Sequence, residues 1–126
     1  VHRYREQIDG LNLSQKVRID NRYIPNEEVS VIFSAADVFA APYTSATQSG
    51  AVKMALGFGL PVVITEPVLD ETMCAGIEQN VFVCPTNNIP LLKKAIVNAL
   101  EFVKTGMRQQ MNSAGWQPLI DCIRQL

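Results

Sequence analysis

The residues best suited to chemistry form one polar run, Tyr43-Thr44-Ser45-Ala46-Thr47-Gln48-Ser49-Gly50, which leads directly into an apolar helical stripe. Hydroxyls at Thr47 and Ser49, the amide of Gln48 and the phenol of Tyr43 can all hydrogen-bond an anion or a sugar. Gly50 lets a ligand approach the backbone closely. The first N–H groups of the helix that follows have no intrahelical partners and lie at its positive dipole end. Together these make a plausible seat for a phosphate group. The same residues also admit a plainer reading, in which Thr47 or Ser49 only caps the helix. A second cluster is acidic: Glu66, Asp70 and Glu71 crowd what reads as one strand end. A carboxylate there can bind a sugar hydroxyl or serve catalysis, or can stand as a cap among solvated acids.

Other chemistries lack their parts. His2 is the one histidine, and the three cysteines, Cys74, Cys84 and Cys122, are far apart with no CxxC spacing. A zinc site has no ligand set, and a Ser-His-Asp or Cys-His system has no base. No metal and no cofactor are therefore expected. Neither GxGxxG nor GxxxxGK[ST] occurs; Gly57-Phe58-Gly59 follows a helical stripe and reads as a helix stop. The formal net charge is −1, which gives no basic excess for a nucleic-acid backbone. No apolar run approaches the roughly 18 residues of a membrane span. An odd, scattered set of thiols points to the cytosol.

These residues need a scaffold, and the hydrophobic pattern predicts one. Val1, Tyr4, Ile8 and Leu11 fit a helix face stopped at Gly10, and Val17–Tyr23 alternates as a strand. Asn26 caps a helix carrying Glu27 and Glu28 in its first turn, with Val29, Ile32, Phe33 and Ala36 as its stripe. Val38–Ala41, Val62–Thr65 and Val81–Cys84 read as strands buried on both faces, two of them ended by Pro42 and Pro85. Ala51, Val52, Ala55 and Leu56 form a helix stripe, and Asp70 opens a short helix. Asn88 caps a long helix ended by Gly106, and Trp116, Leu119, Ile120 and Ile123 mark a last one. Alternating buried strands and amphipathic helices predict a single α/β domain over residues 1–126. Its parallel sheet carries helices on both faces, in the Rossmann-like manner. Ligands of such sheets bind beyond the C-terminal strand ends. That rule selects the loops Tyr23–Asn26, Pro42–Gly50, Glu66–Asp70 and Pro85–Asn88.

The ordered set of motifs resembles the C-terminal, donor-binding half of the retaining GT-B-fold glycosyltransferases often called group 1. Tyr43 to Thr65 resembles that family's P-Y-x-S-x-x-x-S-G, short helix, G-x-P-V-V signature. Ile24 to Val29 and Ala35 to Val38 resemble its upstream segments. Asp70-Glu71 with Asn80 to Pro85, and Ala114-Gly115-Trp116, resemble downstream ones. The resemblance implies transfer of a sugar from a nucleotide-diphosphate sugar, the donor being a substrate rather than a cofactor. It places Tyr43, Thr47, Gln48, Ser49 and Gly50 at the donor and Glu71 on a recurrent catalytic-site glutamate. It also implies an N-terminal acceptor-binding half, and allows a peripheral place at a membrane in the longer protein. The chain departs from the pattern where many members carry two glutamates: Ala46 and Met54 stand there. No glycine follows Asn80. These departures support an alternative, a non-catalytic relative kept as an interaction module. A receiver-type signalling domain is a further rival, but Asp37 precedes its strand instead of following it. A sheet of four short strands that opens on a helix predicts one or two further β-α units upstream. It also predicts self-association through exposed sheet surface.

Overall fold

The computed structural model describes residues 2–45, 50–68 and 80–106. Within them the chain runs α1 (His2–Gly10), α2 (Asn26–Ala35), β1 (Phe39–Ala41), α3 (Gly50–Gly57), β2 (Val62–Thr65), a 3-10 turn (Glu66–Val68), β3 (Val81–Cys84) and α4 (Ile89–Lys104). The expected helices near Asp70 and around Trp116 lie outside the described residues.

The three strands form one sheet in the order β1-β2-β3, and both pairings are parallel. Phe39 to Ala41 pair with Val62 to Ile64, and Val62 to Thr65 pair with Val81 to Cys84. β2 is therefore paired along both edges. Val62, Val63 and Ile64 are each 0% exposed. Val62 and Ile64 point to one face, where they pack with Ala41, Val52, Ala55, Leu56 and Leu60. Val63 points to the other, with Cys84, Ala95 and Ala99. The fold class read from the sequence, an α/β Rossmann-like sheet with helices on both faces, is the one observed.

The helices are offset diagonally across this sheet. α3 lies over β1 and β2, and α4 over β2 and β3 on the opposite face. α2 reaches the α3 side through Phe33, whose ring stacks between Phe39 at 5.7 Å and Phe58 at 5.5 Å. On the α4 side, Phe82 meets Phe102 edge to face at 5.8 Å. Because of the offset, Ala40 on β1 is exposed, and Val83 on β3 stays 42% exposed.

Backbone reversals fix the lengths of the helices. After α3, the Leu60 N–H reaches the Ala55 carbonyl at 3.0 Å and the Gly59 N–H reaches Leu56 at 3.0 Å. Gly59 has φ +74°. This paired bonding with a left-handed residue is the Schellman arrangement, and glycine adopts that conformation without the Cβ penalty. It turns the chain straight into β2 and buries Leu60 completely. Asn80, also 0% exposed, braces the turn by donating its Nδ2–H to the Gly59 carbonyl at 3.4 Å. Its Oδ1 has no partner among the described residues. Asn88 caps α4 as expected, its Oδ1 accepting from the Leu91 N–H at 3.1 Å, and Gly106 follows the helix with φ +78°.

Four local expectations are corrected. Val17–Tyr23 is not a strand: no sheet pairing includes it. Val17 is 42% and Tyr23 85% exposed, so the alternating side has no face to bury against. Arg22 instead holds the segment to α2, donating from Nε to Asp20 at 2.9 Å and from Nη2 to Glu28. The reversal after α1 falls on Asn12, not Gly10. Asn12 has φ +56°, and the Leu13 N–H bonds the Ile8 carbonyl at 2.9 Å. Pro25, with no side-chain bond to offer, occupies the cap of α2 in place of Asn26. The α2 stripe buries none of its residues fully; Ile32 is 47% exposed.

Two substitutions separate the core from the tethered N-terminal segment. Leu60→Ala removes a completely buried side chain beside the Gly59 turn and is expected to cost about 2–5 kcal/mol. Arg22→Ala breaks ion pairs between partly exposed groups that solvent screens, and is expected to cost far less than Leu60→Ala. Chemical denaturation of both variants measures the contrast.

Candidate functional site

Three chain exits meet at the C-terminal end of the sheet: Pro42-Tyr43 after β1, Glu66 after β2, and Pro85 to Asn88 after β3. The fourth expected loop, Tyr23–Asn26, drops out of the set because no strand leads into it.

The β1 exit begins with a sharp turn. Pro42 has no N–H to continue the ladder, and the Tyr43 N–H folds back on the Ala41 carbonyl at 2.9 Å. The Tyr43 carbonyl accepts the Thr65 hydroxyl from the end of β2. Tyr43 itself is 39% exposed. Thr44 and Ser45 are exposed as well. Thr47, Gln48 and Ser49 lie outside the described residues, as does Ala46.

The polar run ends at Gly50, the first residue of α3. Its φ is outside the left-handed region, and a Cβ built on it meets no heavy atom within 4 Å. Neither backbone strain nor packing among the described residues calls for glycine here. Among the described residues, nothing fills the space at the Gly50 Cβ position. α3 is anchored beneath it by Val52, Ala55 and Leu56, all buried. Met54, at a position where the family resemblance expects a glutamate, is 42% exposed.

Glu66 starts the 3-10 turn after β2 and is exposed. Glu71 lies outside the described residues. Asn87, with φ +54°, turns the chain from β3 into α4, a conformation that asparagine tolerates better than most residues. Beneath these loops lies Cys84, 3% exposed, whose thiol donates to the Ile64 carbonyl at 3.5 Å. Burial first, and the nearby Glu66 charge second, push the Cys84 thiol above its ordinary pKa. Among the described residues no three His, Cys, Asp or Glu side chains come together as a metal would require. No described helix is long and apolar enough to cross a membrane.

Of the residues expected to bind a donor, the structure places Tyr43 and Gly50 at the C-terminal side of the sheet. The sequence reading missed the Thr65–Tyr43 tie. The available signal was a threonine closing a strand that is otherwise Val-Val-Ile, where a third β-branched apolar residue would have served the core.

The Cys84 environment gives a direct test. A buried thiol whose pKa is raised carries little thiolate at neutral pH, and the thiolate is the reactive form. Cys84 is therefore expected to resist alkylation in the folded chain at pH 7, and to react once denaturant exposes it. Peptide mapping by mass spectrometry after iodoacetamide treatment measures this; rapid labelling in the native chain would contradict the buried placement.

A family model described as "Glycosyl transferases group 1" matches residues 2–101. Comparison with curated proteins and with solved structures yields no match.

Proposed function

Starting from a chain that belongs to the group 1 glycosyl transferases, we propose that it binds the donor in retaining transfer of a sugar from a nucleotide-diphosphate sugar. Sugar transfer follows from the family; the donor class and the stereochemical course are the proposal. The observation that carries it is Gly50, a helix-opening glycine with open space beyond it, at the C-terminal side of a parallel sheet. That is where doubly wound sheets take their ligands.

In this reading the donor diphosphate lies against the start of α3, where the first backbone N–H groups point out of the helix. These amides stabilise the negative charge that grows on the leaving diphosphate as the bond to the sugar breaks. They are fixed in place before the reaction, which is what makes such stabilisation effective. Thr47, Gln48 and Ser49 add hydrogen bonds from the loop, and Tyr43 flanks its beginning. Glu71 serves the sugar or the reacting centre. An acceptor-binding half of a GT-B-type enzyme faces this cleft, and the longer protein works in the cytoplasm or peripherally at a membrane, in polysaccharide biosynthesis.

One observation favours a second reading. Met54 presents an apolar, 42% exposed side chain where many relatives carry a glutamate, and Ala46 replaces the other. A chain with both substitutions can serve as a non-catalytic interaction module, in which case no nucleotide binds.

Titration of UDP and GDP into the labelled chain, followed by NMR, decides between them. Weak binding with shifts centred on residues 43–50 is expected. Gly50→Val places a branched side chain in the open space, and is expected to abolish binding while leaving the fold intact. No shifts at millimolar nucleotide, or shifts scattered away from that segment, would remove the donor assignment.

A further inference from the structure

The pairing of β1 with β2 ends at Ala41↔Ile64. Beyond it, Pro42 cannot donate to a ladder, and the Tyr43 N–H is already turned back onto Ala41. Among the described residues, the bond that joins the chain at Tyr43 to the rest of the sheet is the one from the Thr65 hydroxyl to the Tyr43 carbonyl, spanning 22 residues of sequence. We infer that Thr65 is a positioning residue for the donor-binding loop: its hydroxyl sets where Tyr43 is presented and where the polar run departs toward Gly50. The inference rests on the donor-site reading above.

The geometry suits that role. Thr65 is 3% exposed, so its hydroxyl is held in a dry environment where an unmade bond is costly. Its own backbone is fixed by the ladder to Cys84. One residue earlier, the Ile64 carbonyl accepts the Cys84 thiol. The strand ends are thus joined sideways by side chains, β3 to β2 through Cys84 and β2 to the β1 exit through Thr65. At the far end of the polar run, Gly50 is fixed by the packing of α3. Among the described residues, Gly50 is thus placed by a helix in the core and Tyr43 by the Thr65 hydroxyl. Valine would fill the same volume and suit a buried strand better, as Val62 and Val63 do on the same strand. What threonine adds at this position is the bond to Tyr43.

The test compares Thr65→Val, which keeps the shape and loses the hydroxyl, with Thr65→Ser, which keeps the hydroxyl. Each is titrated with UDP and GDP by NMR beside the wild-type chain, and its thermal midpoint is recorded. Thr65→Val is expected to stay folded, with amide shift changes confined to residues 42–50 and the β2–β3 neighbours of position 65. Its affinity for the better nucleotide should fall about fivefold to tenfold, the worth of one net hydrogen bond. Thr65→Ser should bind as the wild type does. Wild-type affinity in Thr65→Val would overturn the positioning role while leaving the donor site standing. Equal loss in both variants, with shifts spread through the core, would mean that the residue acts by packing and would also overturn it. A wild-type chain that binds neither nucleotide would overturn the donor reading, and this inference with it.

Discussion

Everything described here depends on burying β2 on both faces and along both edges at once. A parallel ladder on each side satisfies its backbone polar groups. That leaves Val62, Val63 and Ile64, each completely buried, free to act as pure apolar wedges between two layers of helix. The Schellman turn at Gly59 supports this by delivering the chain from α3 into β2 without a loose connection. Asn80 performs the matching service for the adjacent strand, since its side chain reaches back to the Gly59 carbonyl and closes the N-terminal end of the sheet. The candidate site lies at the other end. There Tyr43, Thr44, Ser45, Glu66 and Asn87 are exposed, beyond the point where the buried strand stops at Thr65.

This division of labour accounts for the kinds of residue at each end. Where strands begin, the backbone turns tightly and polar groups face inward to one another. Where they finish, prolines cut two ladders short and side-chain donors take over. Thr65 and Cys84 each supply a hydrogen to a carbonyl of the neighbouring strand or its exit. A sheet finished this way presents loops whose starting points are fixed.

Much of the architecture was legible in the sequence. The run Val62-Val63-Ile64 marked a strand covered on both faces, as β2 is. The expectation of the same burial for Val81–Cys84 fails at Val83, 42% exposed because α3 lies over β1 and β2 instead. The 3-1-3 spacing from Leu92 to Val103 marks a helix with one buried side. Asn88 announced its cap, but the same residue type at Asn26 misled, because Pro25 takes the cap position of α2. The failures came where a pattern was right and its partner was absent. Val17–Tyr23 alternates as a strand should, yet a strand is made by its neighbour, and alternation alone carries no information about one. Asn12 outcompeted Gly10 because the register of the last α1 turn, set by backbone bonds to Gln7, Ile8 and Asp9, decides which residue must turn left-handed. At the candidate site, residue types were informative about polarity and openness, as Tyr43 and Gly50 show. For the Thr65 bond they offered only an indirect signal, a threonine closing a Val-Val-Ile strand, because a contact across 22 residues has no local signature of its partner.

The stacking of Phe33 between Phe39 and Phe58 has a consequence for cooperativity. No described residue before Ala41 is fully buried, so the N-terminal helices contribute little apolar area of their own to a shared core. Among the described residues, their link to the sheet passes through one aromatic sandwich and the half-buried residues beside it. The chain therefore divides energetically into a sheet that opens only when the whole core melts and an N-terminal segment that can detach at far smaller cost. Amide hydrogens of β2 report the global unfolding free energy, and those of α1 report only local fraying. Phe33 is the boundary between the two regimes.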